Sequence, residues 1–244
     1  MHFQYAEQAR RDGLRGADHL GDSMGICAGD IAFFLAFELL AELRLEATVR
    51  TQLLALFARE LSLVGVAQMV DMAEAAAARE RTTEDILRLY LYKTGRYTFS
   101  LPLVAGAMLG GLDERRRREL EQAGEHLGML FQIKDDEIGI FGDAADTGKP
   151  VGSDVREGKK TIFHASLLRR APPVEQERIR ALWGAPGLTE VDVRFLLDSM
   201  ERHGVRAEVG ELVGSLAQRA SAIAEPGRYP FLADLLAYSL DRQR

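Results

Sequence analysis

Two adjacent carboxylates, Asp135 and Asp136, close an otherwise apolar stretch, Phe131-Gln132-Ile133-Lys134-Asp135-Asp136-Glu137-Ile138-Gly139. Gln132, Asp135, Asp136 and Gly139 are spaced i, i+3, i+4 and i+7, so a helix places them on one face. Leu127, Leu130, Phe131, Ile133 and Ile138 surround that polar patch. Carboxylates in such company need a cation or hydrogen-bond donors. Taken alone, the pair reads as a solvated helix end. The segment downstream argues for more. Thr147-Gly148-Lys149-Pro150-Val151-Gly152-Ser153-Asp154-Val155-Arg156-Glu157-Gly158-Lys159-Lys160-Thr161 mixes glycines with lysines. Glycine lets a backbone come close to an anion, and lysine brings positive charge to phosphate oxygens. Carboxylates hold a hard divalent ion such as Mg²⁺, which bridges phosphates. The combination points to a metal–diphosphate site.

Two upstream clusters are candidates for the same cavity. Gln68 and Asp71 stand one turn apart on one predicted helix, and Lys93, Thr94 and Tyr97 lie within about a turn on the next. A lone lysine on an apolar helix usually snorkels to solvent. Tyr90, Leu91, Tyr92 and Tyr97 crowd Lys93 and weaken that reading.

The elements that must position these groups read as helices throughout. Residues 1–22 are polar and predict a short helix and a loop. From Ser23 to about Ala47 the pattern is apolar nearly all round, which predicts a buried helix. A second long helix follows from Thr48 to Arg79. Thr82, with Asp85 three residues on, forms a capping-box pair that opens a third. This helix carries Lys93-Thr94-Gly95, is expected to kink at Pro102, and ends at Gly110-Gly111. Asp113 is an N-cap for a helix from Glu114 to about Phe141. After the Gly142–Thr161 loop, four shorter helices are expected, broken at Pro172-Pro173, Pro186-Gly187, Gly204 and Pro226-Gly227. No alternating strand pattern occurs. The expectation is all-α, one helical domain over 1–244, a bundle around a central axis.

Composition narrows the partners. The chain has 244 residues, 47% hydrophobic and 28% charged, with a net charge of -6. No basic stripe is present, which argues against nucleic acid. Cys27 is the only cysteine, so no internal disulfide forms. The longest apolar run, Ile31 to Phe37, falls short of the ~20 residues that span a bilayer, so no transmembrane segment is expected and the location reads as cytoplasmic. Glu46, Arg50 and the arginines at 115–118 read as solvated helix surface.

Four motifs together are similar to a known family. Gly65-Val66-Ala67-Gln68-Met69-Val70-Asp71, Lys93-Thr94-Gly95, Phe131-Gln132 with Asp135-Asp136, and the Gly148-Lys149 to Gly158-Lys159 loop ending in Thr161 occur in the order and spacing of the trans-polyprenyl diphosphate synthases. Ala28-Gly29-Asp30, opening a long apolar helix, also resembles that family. The resemblance to geranylgeranyl and farnesyl diphosphate synthases covers about residues 20 to 243. It implies an isoprenoid-synthase-type helical bundle around a central cavity, and head-to-tail condensation of an allylic diphosphate with isopentenyl diphosphate, with Mg²⁺ as cofactor.

By the same resemblance, Asp135 is a metal ligand and Asp136 ligates or supports it through water. Lys93, Lys149 and Lys159 contact the allylic diphosphate. Thr94, Gln132, Gln68 and Asp71 line the cavity near the reacting carbon, and Phe131 and Tyr97 offer aromatic faces to a carbocation. Phe33 and Phe34 read as core packing or, by resemblance, as part of a tunnel floor. A homodimer is implied, with the Ile26–Leu45 helix a candidate interface, or a heteromer with a complete synthase. The family's second aspartate-rich motif ends in aspartate where this chain has Gly139, and its first such motif is absent. The chain is therefore expected to be an N-terminally truncated form of the bundle. Three readings stay open: a prenyltransferase, a non-catalytic subunit of one, and a terpene cyclase. The lysine loop and Lys93-Thr94-Gly95 fit synthases better than cyclases.

Overall fold

The computed structural model describes residues 1–76, 79–142, 148, 150–225 and 227–242, and among these there is no strand. The helices are α1 (His2–Arg11), α2 (Ala17–Glu42), α3 (Ala47–Ala76), α4 (Thr83–Tyr90), α5 (Leu91–Ser100), α6 (Leu101–Leu109), α7 (Glu114–Phe141), α8 (Ser153–Arg156), α9 (Ile162–Arg170), α10 (Pro173–Leu182), α11 (Glu190–Arg202), α12 (Val205–Ile223) and α13 (Pro230–Asp241). The chain divides within α3 into two compact units, residues 1–56 and 57–244.

In the first unit α1 packs on α2 and buries Ala6 and Ala9. The apolar character of α2 predicts burial, and here the structure differs. Gly21 is its only buried residue, while Ile26, Phe34 and Leu39 are each about two thirds or more exposed. A ten-residue helix covers too little of a 26-residue one. Phe33 and Phe34 are exposed, so neither packs into a core within this unit.

The expectation of no membrane-length segment also needs correction. Ala17–Glu42 and Ala47–Glu74 reach mean hydropathies of 1.8 and 1.6 and are long enough to cross a bilayer. Alanines spread along each helix keep the average high where the contiguous apolar run is short. Core helices of soluble proteins have the same property.

In the second unit α7 is the central element. It packs against α5, α6 and α12 and fully buries Leu127, Leu130, Ile133 and Ile140. Its N-terminus is where the sequence placed it: Asp113 accepts the Arg116 N–H at 2.8 Å. Thr82 and Asp85 form the reciprocal capping box that starts α4. The path from Thr83 to Leu109 is helical throughout, but its middle, α5, is wound as a π-helix. Pro102 falls in the first turn of α6, where proline is tolerated. After the lysine loop come five helices, α9 to α13, rather than four, because four breaks divide the C-terminal stretch into five pieces.

Candidate active site

The second unit contains a cavity of about 390 Å³ lined by Asp71 of α3, Tyr90 of α4, Lys93 and Thr94 of α5, Gln132, Asp135 and Asp136 of α7, and the segment Glu157–Thr161. Arg81 and Leu89 complete its wall.

Close backbone packing brings α5 to α7. A Cβ on Gly128 would stand 2.2 Å from Gly95 Cα, and one on Gly124 would stand 2.7 Å from Ser100 Cα. At these two points α7 does not tolerate a side chain. The result is that Thr94 Oγ1 donates to Gln132 Oε1 at 2.8 Å, and Gln132 Nε2 donates to Asp136 Oδ1 at 3.1 Å.

Asp136 is buried, and its other oxygen accepts from the Tyr90 hydroxyl. That hydroxyl in turn accepts the Ile162 N–H at 3.1 Å. Burial raises the Asp136 carboxyl to about 7; the donors Tyr90 and Gln132 oppose the rise, and Asp154 and Asp135 add to it. Burial and the Asp136 charge also push the Tyr90 phenol well above its ordinary range. Asp135, one residue earlier, lines the same cavity and is half exposed. Its Oδ1 meets Arg242 Nη2 at 3.0 Å.

The cations of the cavity are held by acids. Lys93 Nζ donates to Asp71 Oδ2 at 2.5 Å, and Arg81 Nη2 donates to Asp71 Oδ1 at 2.9 Å. Burial pulls the Asp71 carboxyl upward, but these two cations outweigh it and hold it below its usual value. Lys159 Nζ donates to Asp154 Oδ1 at 2.5 Å. Burial opposes its charge, yet Asp154 and Glu157 win and raise the ammonium above its usual range. Lys160 Nζ caps the end of α3 through the Glu74 carbonyl at 3.2 Å.

The chain matches the sequence pattern of the polyprenyl synthetase family over residues 6–200. It belongs to that family. Among polyprenyl synthetases, the short chain isoprenyl diphosphate synthase of Methanothermobacter thermautotrophicus is 29% identical over 91% of this chain and 68% of its own. The farnesyl diphosphate synthase of Geobacillus stearothermophilus is 36% identical over 58% of this chain and 48% of its own. The chain thus spans about half to two thirds of the length of these curated relatives. The crystal structure of geranylgeranyl pyrophosphate synthase from Corynebacterium glutamicum, complexed with isoprenyl diphosphate and magnesium, superposes with a TM-score of 0.86 at 29% identity, covering 99% of this chain and 70% of that one. The all-α isoprenyl synthase fold is therefore the fold of this chain.

Of the residues singled out in the sequence, Asp71, Lys93, Thr94, Gln132, Asp135, Asp136 and Lys159 line one cavity. Lys149 lies outside the described residues. Gln68 and Tyr97 do not line it. Both are exposed. Phe131 is absent from the lining too; its ring packs against Phe99 at 5.3 Å and carries Arg242 at 4.2 Å. Sequence reasoning passed over Arg81, Asp154 and Arg242, and used Tyr90 only as a neighbour of Lys93. The partners of Tyr90 and Arg242 are distant in the chain, and those of Arg81 and Asp154, though nearer, lie at no helical spacing that announces them.

Proposed function

We propose that this chain is a trans-prenyltransferase that condenses an allylic diphosphate head-to-tail with isopentenyl diphosphate. The observation that carries this reading is the convergence of Lys93, Lys159 and Asp135 with the Thr94–Gln132 pair on one cavity. Family membership supports it.

In this reading Lys93 and Lys159, with Lys149, bind the allylic diphosphate and stabilise the charge that builds on it as the C–O bond breaks. The electron pair leaves with pyrophosphate. The allylic cation is attacked by the second substrate's double bond, and the proton then lost goes to the pyrophosphate. The Thr94 and Gln132 oxygens face the positive carbon, and Asp71 keeps Lys93 aimed at the cavity.

The residues fit Mg²⁺. No group of three or more His, Cys, Asp or Glu gathers among the described residues. The Asp135–Asp136 pair suits an ion that takes one or two carboxylates and finds its other ligands in water and phosphate. Asp135, half exposed at the cavity edge, would hold it directly, and Asp136 would support Asp135's turn from behind. Bound there, Mg²⁺ would supply positive charge to the diphosphate leaving group.

The family match crosses the division between the two compact units, which supports one functional domain over 1–244. We further propose a homodimer through the exposed apolar side chains of α2, and a cytoplasmic location. A second reading, a non-catalytic subunit pairing with a complete synthase, is favoured by Gly139 in place of a third motif carboxylate.

A pyrophosphate-release and chain-elongation assay with Mg²⁺, isopentenyl diphosphate and farnesyl diphosphate tests the proposal. Elongated product that vanishes in a Lys93→Ala, Asp135→Ala double variant is expected. Folded protein with no turnover favours the subunit reading, and a cyclised product without isopentenyl diphosphate favours the cyclase.

A further inference from the structure

Gly139 closes the acidic stretch of α7 without a side chain, and its missing volume is filled from elsewhere. A Cβ at Gly139 would stand 2.5 Å from Asp154 Cγ and from Asp154 Oδ2. No real contact is so short. The segment bearing Asp154 is fastened to this same turn by two more bonds: Gly152 N–H donates to Ile140 O at 3.1 Å, and Ser153 Oγ donates to Gly139 O at 3.0 Å. Gly152 has φ +72°, the left-handed region that glycine adopts freely, and it starts the short helix that swings Asp154 inward.

Asp154 is 4% exposed. It does not line the cavity, but Lys159 does, and the two are joined at 2.5 Å. The Lys159 N–H also donates to the Asp154 carbonyl at 3.0 Å, so both ends of the lysine are tied to one residue. Gly158, at φ +70°, makes the turn between them.

We propose that Asp154 is a positioning residue that aims Lys159 at the substrate diphosphate, and that position 139 is glycine because the Asp154 carboxylate needs that space. A lysine stem is flexible and compact in charge, so holding it in place before the ligand arrives reduces the ordering that binding must otherwise impose. The ammonium has three donors. Asp154 and Glu157 engage it from one side, leaving capacity for a phosphate oxygen. The negative charge that the motif lacks at its last position is thereby supplied from the loop, behind the lysine rather than in the cavity. This inference rests on the reading of the cavity as a diphosphate site.

The test uses the whole chain and inorganic pyrophosphate with Mg²⁺, titrated by calorimetry. Asp154→Asn keeps the shape and removes the charge, Asp154→Glu restores the charge, and Gly139→Ala pushes the carboxylate out. Thermal melts show which variants fold. Binding about tenfold weaker in Asp154→Asn and Gly139→Ala, with part recovered in Asp154→Glu, is the expected result.

Acetylation of Lys159 by acetic anhydride, followed by peptide mass spectrometry without ligand, reports the tether itself. Lys159 should react several-fold faster in Asp154→Asn than in the wild type. In the wild type alone it should react more slowly than in the urea-unfolded chain, and equal rates there overturn the tether even if no variant folds. If wild-type protein binds pyrophosphate and folded Asp154→Asn binds it equally well, the positioning role fails while the diphosphate reading stands. If wild-type protein binds none, the diphosphate reading falls and this inference falls with it.

Discussion

The Tyr90 hydroxyl donates to the Asp136 carboxylate and accepts the Ile162 N–H. One oxygen thus ties the end of α4 to the acidic turn of α7 and to the first residue of α9. All three groups are buried, so each depends on the others for satisfaction. This network fixes Asp136, which lines the cavity beside the proposed metal ligand Asp135.

Tyr90→Phe removes that oxygen and leaves a buried carboxylate and a buried N–H short of one partner each. A loss of about 1–3 kcal/mol is expected from urea denaturation monitored by circular dichroism. Unchanged stability would mean that the hydroxyl is not part of the network.

Asp136 gives the protein a specific pH dependence. Its carboxyl is raised to about 7 from 3.8, so the folded chain binds a proton there that the unfolded chain releases. Stability from this group is present at low pH and is lost as pH rises between those two values. His164 acts in the opposite sense: burial lowers it to about 4 from 6.5, so its contribution is lost as pH falls across that range. In wild type the two oppose each other over most of their overlap. Asp136→Asn should remove the first, leaving a chain whose melting temperature drops on acidification from pH 7 to 4 more steeply than wild type. Parallel profiles would refute the assignment.

Lys93 is part exposed and sits at 2.5 Å from Asp71. Lys93→Met should change thermal stability little, since the lysine is part exposed and Asp71 keeps its bond from Arg81. Binding of the diphosphate should weaken about tenfold or more, the loss expected when a charged donor is removed. Calorimetry with pyrophosphate and Mg²⁺, beside a thermal melt, separates the two effects.

Gly128→Ala places a Cβ 2.2 Å from the Gly95 backbone. Backbone cannot yield as a side-chain tip can, so α5 and α7 must separate. A destabilisation of about 1–3 kcal/mol is expected. The Thr94–Gln132 bond should be lost with it, so catalytic turnover should fall further than stability does. Full activity in a folded variant would show that this close approach does not position the pair.

Arg96 is the structural counterpart to these site residues. It joins Glu60, Glu121 and Glu125 at 2.5–2.9 Å, and Glu60 is 1% exposed. Arg96→Met leaves the buried Glu60 without its main cation, and should cost about 3–5 kcal/mol in denaturant unfolding. A variant as stable as wild type would show that Arg59 alone satisfies Glu60.

The all-α class, the caps at Thr82 and Asp113 and the span of α7 were legible in the amino-acid sequence alone, and seven of its ten candidate site residues line the cavity. Those signals are local: a cap acts within one turn, and an i, i+4 spacing declares a helix face whatever lies opposite. Tertiary structure decided the rest. It paired Lys93 with Asp71 and Tyr90 with Asp136, and it turned Gln68 and Tyr97 away. It wound Leu91–Ser100 as a π-helix and put Asp154 into the space of Gly139. It also left α2 exposed, although its composition alone implies burial. Composition states what a helix surface would prefer to touch, but only packing decides which surface is there to meet it.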